Sequence, residues 1–145
     1  DFLQAQEVCG VGVATRETLE GGPPSTNLEY VLDDAVSALS FAVPLNRKKI
    51  HKYLSKEDHA PHQADNVHTG FYTTGLAVAL ASYLDQLGYP SYGVDSNVVY
   101  RKDTPRGTRD FLPDISHRYL AAASGVGWFG LSGNVITPSH GAAVS

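Results

Sequence analysis

Residues 115–138 read "ISHRYLAAASGVGWFGLSGNVITP", and the order of structure along them can be predicted in some detail. The glycines Gly125, Gly127 and Gly130 of this stretch fit the pattern G-x-G-x-x-G of dinucleotide-binding loops. In such a loop a strand precedes the glycines and a helix follows them, because the helix N-terminus holds the pyrophosphate. Here good helix formers precede the glycines, and a β-branched run closed by a proline follows them. The stretch therefore predicts a helix, a turn over 125–133 and then a strand, which argues against NAD or FAD.

The beginning of that predicted helix carries an electrostatic conflict. Asp114 is the expected N-cap, and His117 and Arg118 follow in the first turn, where the helix dipole disfavours cations. Gly125 suits the position just after the C-terminus of the helix. Local conflicts of this kind sometimes mark functional sites, but an exposed first turn also tolerates two cations at little cost. Both interpretations stay open from the sequence.

Composition bounds the class of protein. The 145 residues are 42% hydrophobic and 18% charged with a formal net charge of -4, which predicts one folded domain over residues 1–145. The sequence has no long basic block that would indicate nucleic-acid binding, and it has no apolar run long enough to span a membrane. Cys9 is the one cysteine, so an internal disulfide and a cluster held by four cysteines of this chain are excluded. We expect Cys9 to be a buried structural residue.

Strand-like and helix-like stretches are mixed along the chain without strict alternation. "EVCGVGVA" at 7–14 predicts a first strand, and the apolar run at 36–45 predicts a second strand that is central and buried on both faces. Apolar residues at helical spacing predict a long helix over 69–88. "YGVDSNVVYR" at 92–101 is expected to be extended. This mixture favours an α+β sheet with helices packed on it.

The segment "EDHAPHQADNVH" at 57–68 is rich in histidine. Pro61 interrupts it, so we expect a solvated polar loop that holds no metal. The alternative is a metal site, because regularly spaced side chains of the segment belong to metal-binding types: His59, His62, Asp65 and His68.

Two other stretches place polar groups near predicted element ends. Tyr72 stands at the start of the predicted long helix, where it can donate a proton or serve as a half-buried anchor. Asp95, Ser96 and Asn97 follow Gly93 on the extended segment. Such residues are common turn formers, and they are also what a site at a sheet edge needs.

These motifs together resemble a known group of proteins. "ISHRYLAAASGVGWFGLSGNVITPSHGAAV" is similar to the helix, glycine turn and strand ending in T-P of epoxyqueuosine reductases and reductive dehalogenases. "ALSFAVPL" resembles the first core strand of the same domain, and "FYTTGLAVALASYLDQLGYPSYGVDSN" resembles its long helix and the segment after it. The resemblance runs from about Leu39 to Ala143. It implies a corrinoid-binding domain with a nitroreductase-like α+β fold, a mixed sheet with packed helices.

The same resemblance implies the cofactors and the partners. Cobalamin would lie in a cleft against glycine-rich backbone, and electrons would come from two [4Fe–4S] clusters in a ferredoxin-like segment expected after Ser145. The substrate would be a small molecule, with tRNA as the one nucleic acid to consider, and the protein would be cytoplasmic. The residues expected to bind the cofactor are Asp114, His117, Arg118, Gly125, Gly127, Trp128, Gly130 and Gly133.

Catalytic roles follow from the resemblance by matching positions. Asp95 matches the aspartate that donates a proton in epoxyqueuosine reductases, with Asp114 as a second candidate, and Tyr72 and Asn97 match a tyrosine and an asparagine of the dehalogenases. We expect Tyr72 and Asp95 to face the same cleft as the glycine turn, and the isolated chain to bind cobalamin weakly or not at all, because the ferredoxin-like segment that should close the cleft is not part of it. One departure is Leu131, where both families usually carry lysine or arginine, so the family reactions are in doubt.

Two rival functions stay open. One is a flavin-dependent enzyme of the nitroreductase kind, and the other is a corrinoid carrier without catalytic activity. The visible spectrum of the purified protein distinguishes the flavin-dependent enzyme, which would show a flavin spectrum, from a cobalamin protein, which would show a corrinoid spectrum. Two ferredoxin-like cysteine runs in the coding sequence past Ser145 would separate a reductase from a carrier.

Overall fold

The computed structural model describes residues 2–95, 101–103 and 112–142. Within them, three α-helices and two small antiparallel sheets are formed, so the mixed α+β class is confirmed. The chain divides into two compact units. The first unit comprises Asp1–Glu7 and Val43–Val94, and the second comprises Val8–Ala42 and Asp95–Ser145. A single domain over 1–145 stays a prediction.

Two helices make up the regular structure of the first unit, α1 at Arg47–Leu54 and α2 at Ala60–Gln86. Asn46 caps α1, since its side chain accepts hydrogen bonds from the backbone N–H groups of Lys48 and Lys49. Asp65 of α2 ties the helices together by accepting from the Asn46 backbone N–H and from Lys49 Nζ, each at 2.8 Å. The Lys49 hydrogen bond lowers the pKa of Asp65, so the ion pair persists at neutral pH.

Helix α2 begins at Ala60 and not near residue 69, so the expectation of a polar loop over the histidine-rich segment is wrong. Pro61 lies in the first turn, where a missing backbone N–H breaks no helical hydrogen bond. The Tyr53 ring lies 5.0 Å from the ring of His59 and 4.6 Å from that of His62. Among the described residues, no three histidine, cysteine, aspartate or glutamate side chains are placed to share a metal ion.

The C-terminal end of α2 matches the sequence prediction. Gly88 adopts a positive φ of 88°, a conformation that favours glycine. Its backbone N–H donates to Asp85 O, and the N–H of Tyr89 donates to Leu84 O, which closes the last turn. Within the described part of the chain, none of the helices combines the length and the apolar character that a membrane span requires.

Two glycines in the interior of α2 offer a prediction about stability. A Cβ atom added at Gly70 or Gly75 would meet nothing within 4 Å. We expect Gly70→Ala and Gly75→Ala each to raise the free energy of unfolding by about 0.5–1 kcal/mol, because alanine loses less backbone entropy in a helix. Thermal unfolding followed by circular dichroism measures this change.

Gly88→Ala is the matched control, because its positive φ strains alanine. We expect this variant to lose about 1 kcal/mol. A loss of stability in Gly70→Ala or Gly75→Ala would mean that these positions require glycine for a reason outside the helix itself.

The second unit begins with an antiparallel pair, β1 at Gly10–Thr15 and β2 at Ser37–Ala42, with Gly12 opposite Ser40. One face of this pair packs against α3 at His117–Ala123. The prediction that β2 is central and buried on both faces is wrong. In the described residues β2 pairs only with β1, and its Leu39 side chain is exposed.

A three-stranded antiparallel sheet follows α3 in the second unit. Its strands are β3 at Trp128–Phe129, β4 at Val135–Thr137 and β5 at Gly141–Ala142, and β3 and β4 form the hairpin that carries the glycines. A helix therefore precedes Gly125 and a strand follows the glycines, as predicted. The difference is that Trp128–Phe129 pairs with β4, so part of the predicted turn is a strand.

A buried arginine joins distant segments of the second unit. Arg101 is 3% exposed, and its guanidinium donates to both carboxylate oxygens of Asp103 at 2.9 and 2.6 Å. It also donates to the backbone carbonyls of Pro24 at 2.8 Å and Asp114 at 3.3 Å, and it lies 3.9 Å from the centre of the Tyr30 ring. Each of the three guanidinium nitrogen atoms thus donates to at least one acceptor, which offsets the cost of burying the charge.

Candidate functional site

The candidate site is built around the beginning of α3, where His117 meets Asp95. The Nε2 atom of His117 lies 3.2 Å from the backbone carbonyl oxygen of Asp95, to which it donates. Burial lowers the pKa of His117, and the carboxylates of Asp114 and Asp95 only partly oppose this effect. The imidazole is therefore neutral at pH 7, which removes much of the conflict between His117 and the helix dipole.

Ser116, and not Asp114, caps α3. The Ser116 side chain accepts a hydrogen bond from the backbone N–H of Tyr119, three residues on, which is the spacing of an N-cap. The Asp114 carboxylate accepts from the backbone N–H of Ile115 at 2.8 Å, and its carbonyl accepts from Arg101. Asp114 thus lies just before the helix, close enough to His117 to act on its charge.

The glycines after α3 are explained by the packing of the protein itself. Gly125 has a φ of +77°, and its N–H donates to Ala122 O while the N–H of Val126 donates to Ala121 O. This is the hydrogen-bonding pattern that ends a helix with glycine.

The next two glycines face β4 and its side chains. A Cβ atom on Gly127 would overlap the carbonyl oxygen of Ile136 and come within 2.6 Å of the Val135 side chain, and one on Gly130 would lie 2.7 Å from Ile136 Cδ1. The backbone of Gly127 and Gly130 is therefore covered by β4 on that side. Contact with a macrocycle is therefore not needed to explain why glycine stands at these two positions, because the packing of the hairpin already requires it.

Exposed aromatic side chains lie on α3 and on the hairpin that follows it, and the sequence pattern does not indicate two of them, Tyr119 and Phe129. The rings of Tyr119 and Phe129 meet edge to face at 4.9 Å, and both remain 42% exposed. Trp128 is 53% exposed on the same hairpin, and Leu131 at its turn is fully exposed. Arg118 donates to the carbonyl oxygen of Gly133 at 3.2 Å, which ties α3 to that turn. Isolated apolar side chains at a surface are ordinary, but adjoining aromatic rings are a feature of ligand surfaces.

A small cavity of about 170 Å³ also lies within the second unit. Cys9 lines it, with its Sγ donating to Ala42 O at 3.4 Å, and burial raises the pKa of this thiol. The thiol is therefore protonated and weakly nucleophilic at neutral pH. The Cys9 side chain is half-buried and not buried as predicted, and its structural role stays a prediction. The cavity is smaller than the roughly 300–1,000 Å³ of pockets that enclose drug-sized ligands, so it cannot enclose a corrinoid.

The residues matched to catalytic roles are placed as follows. Tyr72 lies within α2 of the first unit and not at the start of that helix, and its hydroxyl donates to Gln6 Oε1 at 3.0 Å. Asp95 belongs to the second unit, as do the glycines of the turn. Asn97 lies outside the described residues. A shared cleft for Tyr72, Asp95 and Gly127 therefore stays a prediction.

The lowered pKa of His117 predicts a dependence of stability on pH. In the unfolded chain this histidine titrates near 6.5, whereas in the folded protein it binds its proton only at lower pH. The unfolded state therefore takes up more protons as the pH falls below about 6.5, and the free energy of unfolding falls with it. Above that pH the contribution is fully present.

Replacing His117 by glutamine should remove this part of the pH dependence. Urea unfolding at pH 7.5 and pH 5 measures the change, and His51→Gln on the exposed side of α1 is the control. We expect the loss of stability between the two pH values to be smaller in His117→Gln than in the native protein and the control. Equal losses in all three would show that His117 is not the titrating group.

Comparison with protein-family models, with curated proteins and with solved structures finds no match to this chain.

Proposed function

We propose that this chain is the corrinoid-binding part of a cytoplasmic cobalamin-dependent reductase related to the epoxyqueuosine reductases and reductive dehalogenases. The proposal includes a nitroreductase-like arrangement of the complete protein. Its support is the resemblance over about residues 39–143, together with the order of elements around Gly125. The chain there forms a helix, then a glycine-rich turn, and then a strand that ends at Thr137, just before Pro138. This is the order that the motif requires.

The observation that carries the proposal is the exposed aromatic pair that α3 and the following hairpin form. A corrinoid is broad and largely apolar, and it needs a surface and not a small closed cavity. The adjoining rings of Tyr119 and Phe129 offer such a surface, with the exposed Trp128 on the same hairpin. In this proposal the aromatic rings contact the macrocycle, while Gly127 and Gly130 serve the packing of the hairpin that presents them.

The residues around α3 then have separate roles. Bound cobalamin would supply a cobalt centre that accepts and passes on electrons, which in this proposal come from iron–sulfur clusters held outside this chain. Neutral His117 donates its Nε2 proton to Asp95 O and so fixes the backbone beside the Asp95 carboxyl, the proposed proton donor. Leu131 presents an uncharged side chain where the families usually carry a cation, which favours an uncharged substrate.

The first test identifies the bound cofactor directly. The complete gene product, and not residues 1–145 alone, is made in a host supplied with cobalamin and purified without oxygen, because the isolated chain is expected to bind cobalamin weakly or not at all. Its cofactors are extracted and identified by their visible spectra. A corrinoid in near-stoichiometric amount supports the proposal. A flavin in its place would establish the nitroreductase-like alternative, and the absence of both would end the proposal.

The second test concerns the aromatic surface. Phe129→Ser is compared with Tyr92→Ser, which removes an exposed aromatic ring from the first unit. We expect Phe129→Ser to weaken cobalamin binding about tenfold, in line with the roughly 1–1.5 kcal/mol of an aromatic contact, and the control to bind as the native protein does. Equal binding by both variants would remove this surface from the proposal.

A further inference from the structure

Helix α1 carries an unusual concentration of positive charge for a protein with a net charge of -4. Residues 47–56 hold five of the 11 lysines and arginines of the chain. Lys49 is paired with Asp65 at 2.8 Å. The other four side chains are exposed and form no ion pair with any described residue: Arg47, Lys48, Lys52 and Lys56.

This arrangement is unfavourable for the isolated helix. Arg47, Lys48 and Lys49 occupy the first turn, where the helix dipole favours negative charge. Asp65 of α2 supplies one carboxylate there and pairs with Lys49, which leaves Arg47 and Lys48 without a counter-charge in the described part of the chain. Lys48 and Lys52 are four residues apart, so their like charges lie on neighbouring positions of one face and repel. An anionic partner would relieve both effects, whereas solvent and salt only screen them.

We propose that the cationic surface formed by Arg47, Lys48 and Lys52 of α1 and by Lys56, just after the helix, binds an acidic surface patch of a partner protein. Helix α1 has eight residues at roughly 1.5 Å each and is therefore about 12 Å long, which suits a small and transient electrostatic contact. This inference is independent of the proposed function, because it rests on α1 alone.

Two other anionic partners fit the helix less well. An amphipathic helix that lies in a lipid surface presents an apolar face beside its cations, whereas on α1 Ile50 is half-buried and the Tyr53 ring, although 40% exposed, contacts His59 and His62. Leu54, at 71% exposure, is the one strongly exposed aliphatic side chain of α1. Single-stranded nucleic acid is favoured by free aromatic rings on which bases stack, and the Tyr53 ring is only partly free.

The experiment compares the binding of three anionic probes at the same low ionic strength. They are a 20-residue peptide of glutamate and aspartate, vesicles containing phosphatidylserine, and a 20-nucleotide single-stranded RNA. Fluorescence anisotropy or co-sedimentation measures binding to the native protein. We expect the acidic peptide to bind, with an affinity that falls steeply as salt is added.

Charge-removing variants then locate the binding face. The double variant Lys48→Gln/Lys52→Gln should weaken peptide binding about tenfold, while Lys102→Gln, an exposed lysine of the second unit, should leave it unchanged. Thermal unfolding verifies that each variant is folded. Failure of the peptide to bind, equal loss in the control, or binding of vesicles or RNA at least ten times tighter than the peptide would overturn the proposal.

Discussion

Replacing Gly12 by alanine should lower the free energy of unfolding by more than about 3 kcal/mol, a larger cost than most overpacked positions show. A Cβ atom at this position would overlap the backbone carbonyl oxygen of Ser124, just after α3, and would lie 3.0 Å from the Ser124 Cβ. A backbone atom cannot rotate away as a side chain does, so β1 and α3 would have to separate. Urea unfolding followed by tryptophan fluorescence measures the shift.

Gly10→Ala is the matched control, because it places the same methyl group two residues earlier on the same face of β1. There the nearest atoms are Val126 Cγ1 at 3.5 Å and Ala42 Cβ at 3.9 Å, which are ordinary contacts. We expect its stability to stay within about 1 kcal/mol of the native protein. Similar shifts in the two variants would show that α3 does not pack on Gly12 as described.

The second large effect is expected for Arg101→Met, which should cost about 2–4 kcal/mol, because backbone carbonyls lose a charged donor at roughly 1–3 kcal/mol each. Methionine retains much of the side-chain volume, so the loss comes from polar groups and not from a cavity. The carbonyls of Pro24 and Asp114 lose their buried donor, and Asp103 loses the hydrogen bonds that lower its pKa. Equilibrium unfolding in urea gives the difference in free energy.

Arg16→Met removes an arginine whose ion pair is exposed, and it serves as the control. Arg16 Nη2 lies 2.7 Å from Glu29 Oε1, with both side chains half exposed to solvent. Exposed pairs contribute about 0–1 kcal/mol, so this variant should remain close to the native protein. If Arg101→Met is no more destabilised than Arg16→Met, the buried arginine does not hold its segments together.

The ends of helices could be predicted from the sequence because the signals are local. Gly88 and Gly125 each follow a helix and adopt a positive φ, and the strand before Pro138 lies where its β-branched residues indicate. The sequence prediction places the beginning of α2 too late, because Pro61 resembles an interruption although proline is compatible with the first turn of a helix. The predicted cap of α3, Asp114, lies two residues before Ser116, whose spacing to Tyr119 is that of an N-cap.

Features that depend on distant contacts could not be predicted. An apolar run such as residues 36–45 indicates a strand but does not reveal how many neighbours it has. The contacts of Arg101 join residues up to 77 positions apart, and Tyr119 meets Phe129 only because the hairpin folds back on α3. At the site, the conflict of His117 and Arg118 with the helix dipole was visible in the sequence, whereas the contact of His117 with Asp95 required the structure.

The β1–β2 pair has a consequence for handling the protein in solution. In the part of the chain that the structure describes, each of these strands pairs on one side only, and Val11, Val13 and Leu39 are exposed on one face. Neither strand contains a lysine, a proline or any charged residue of the kind that discourages edge-to-edge association. Preparations should therefore cloud or form fibrils more readily as the concentration rises, and a lysine at Val13 should delay this self-assembly.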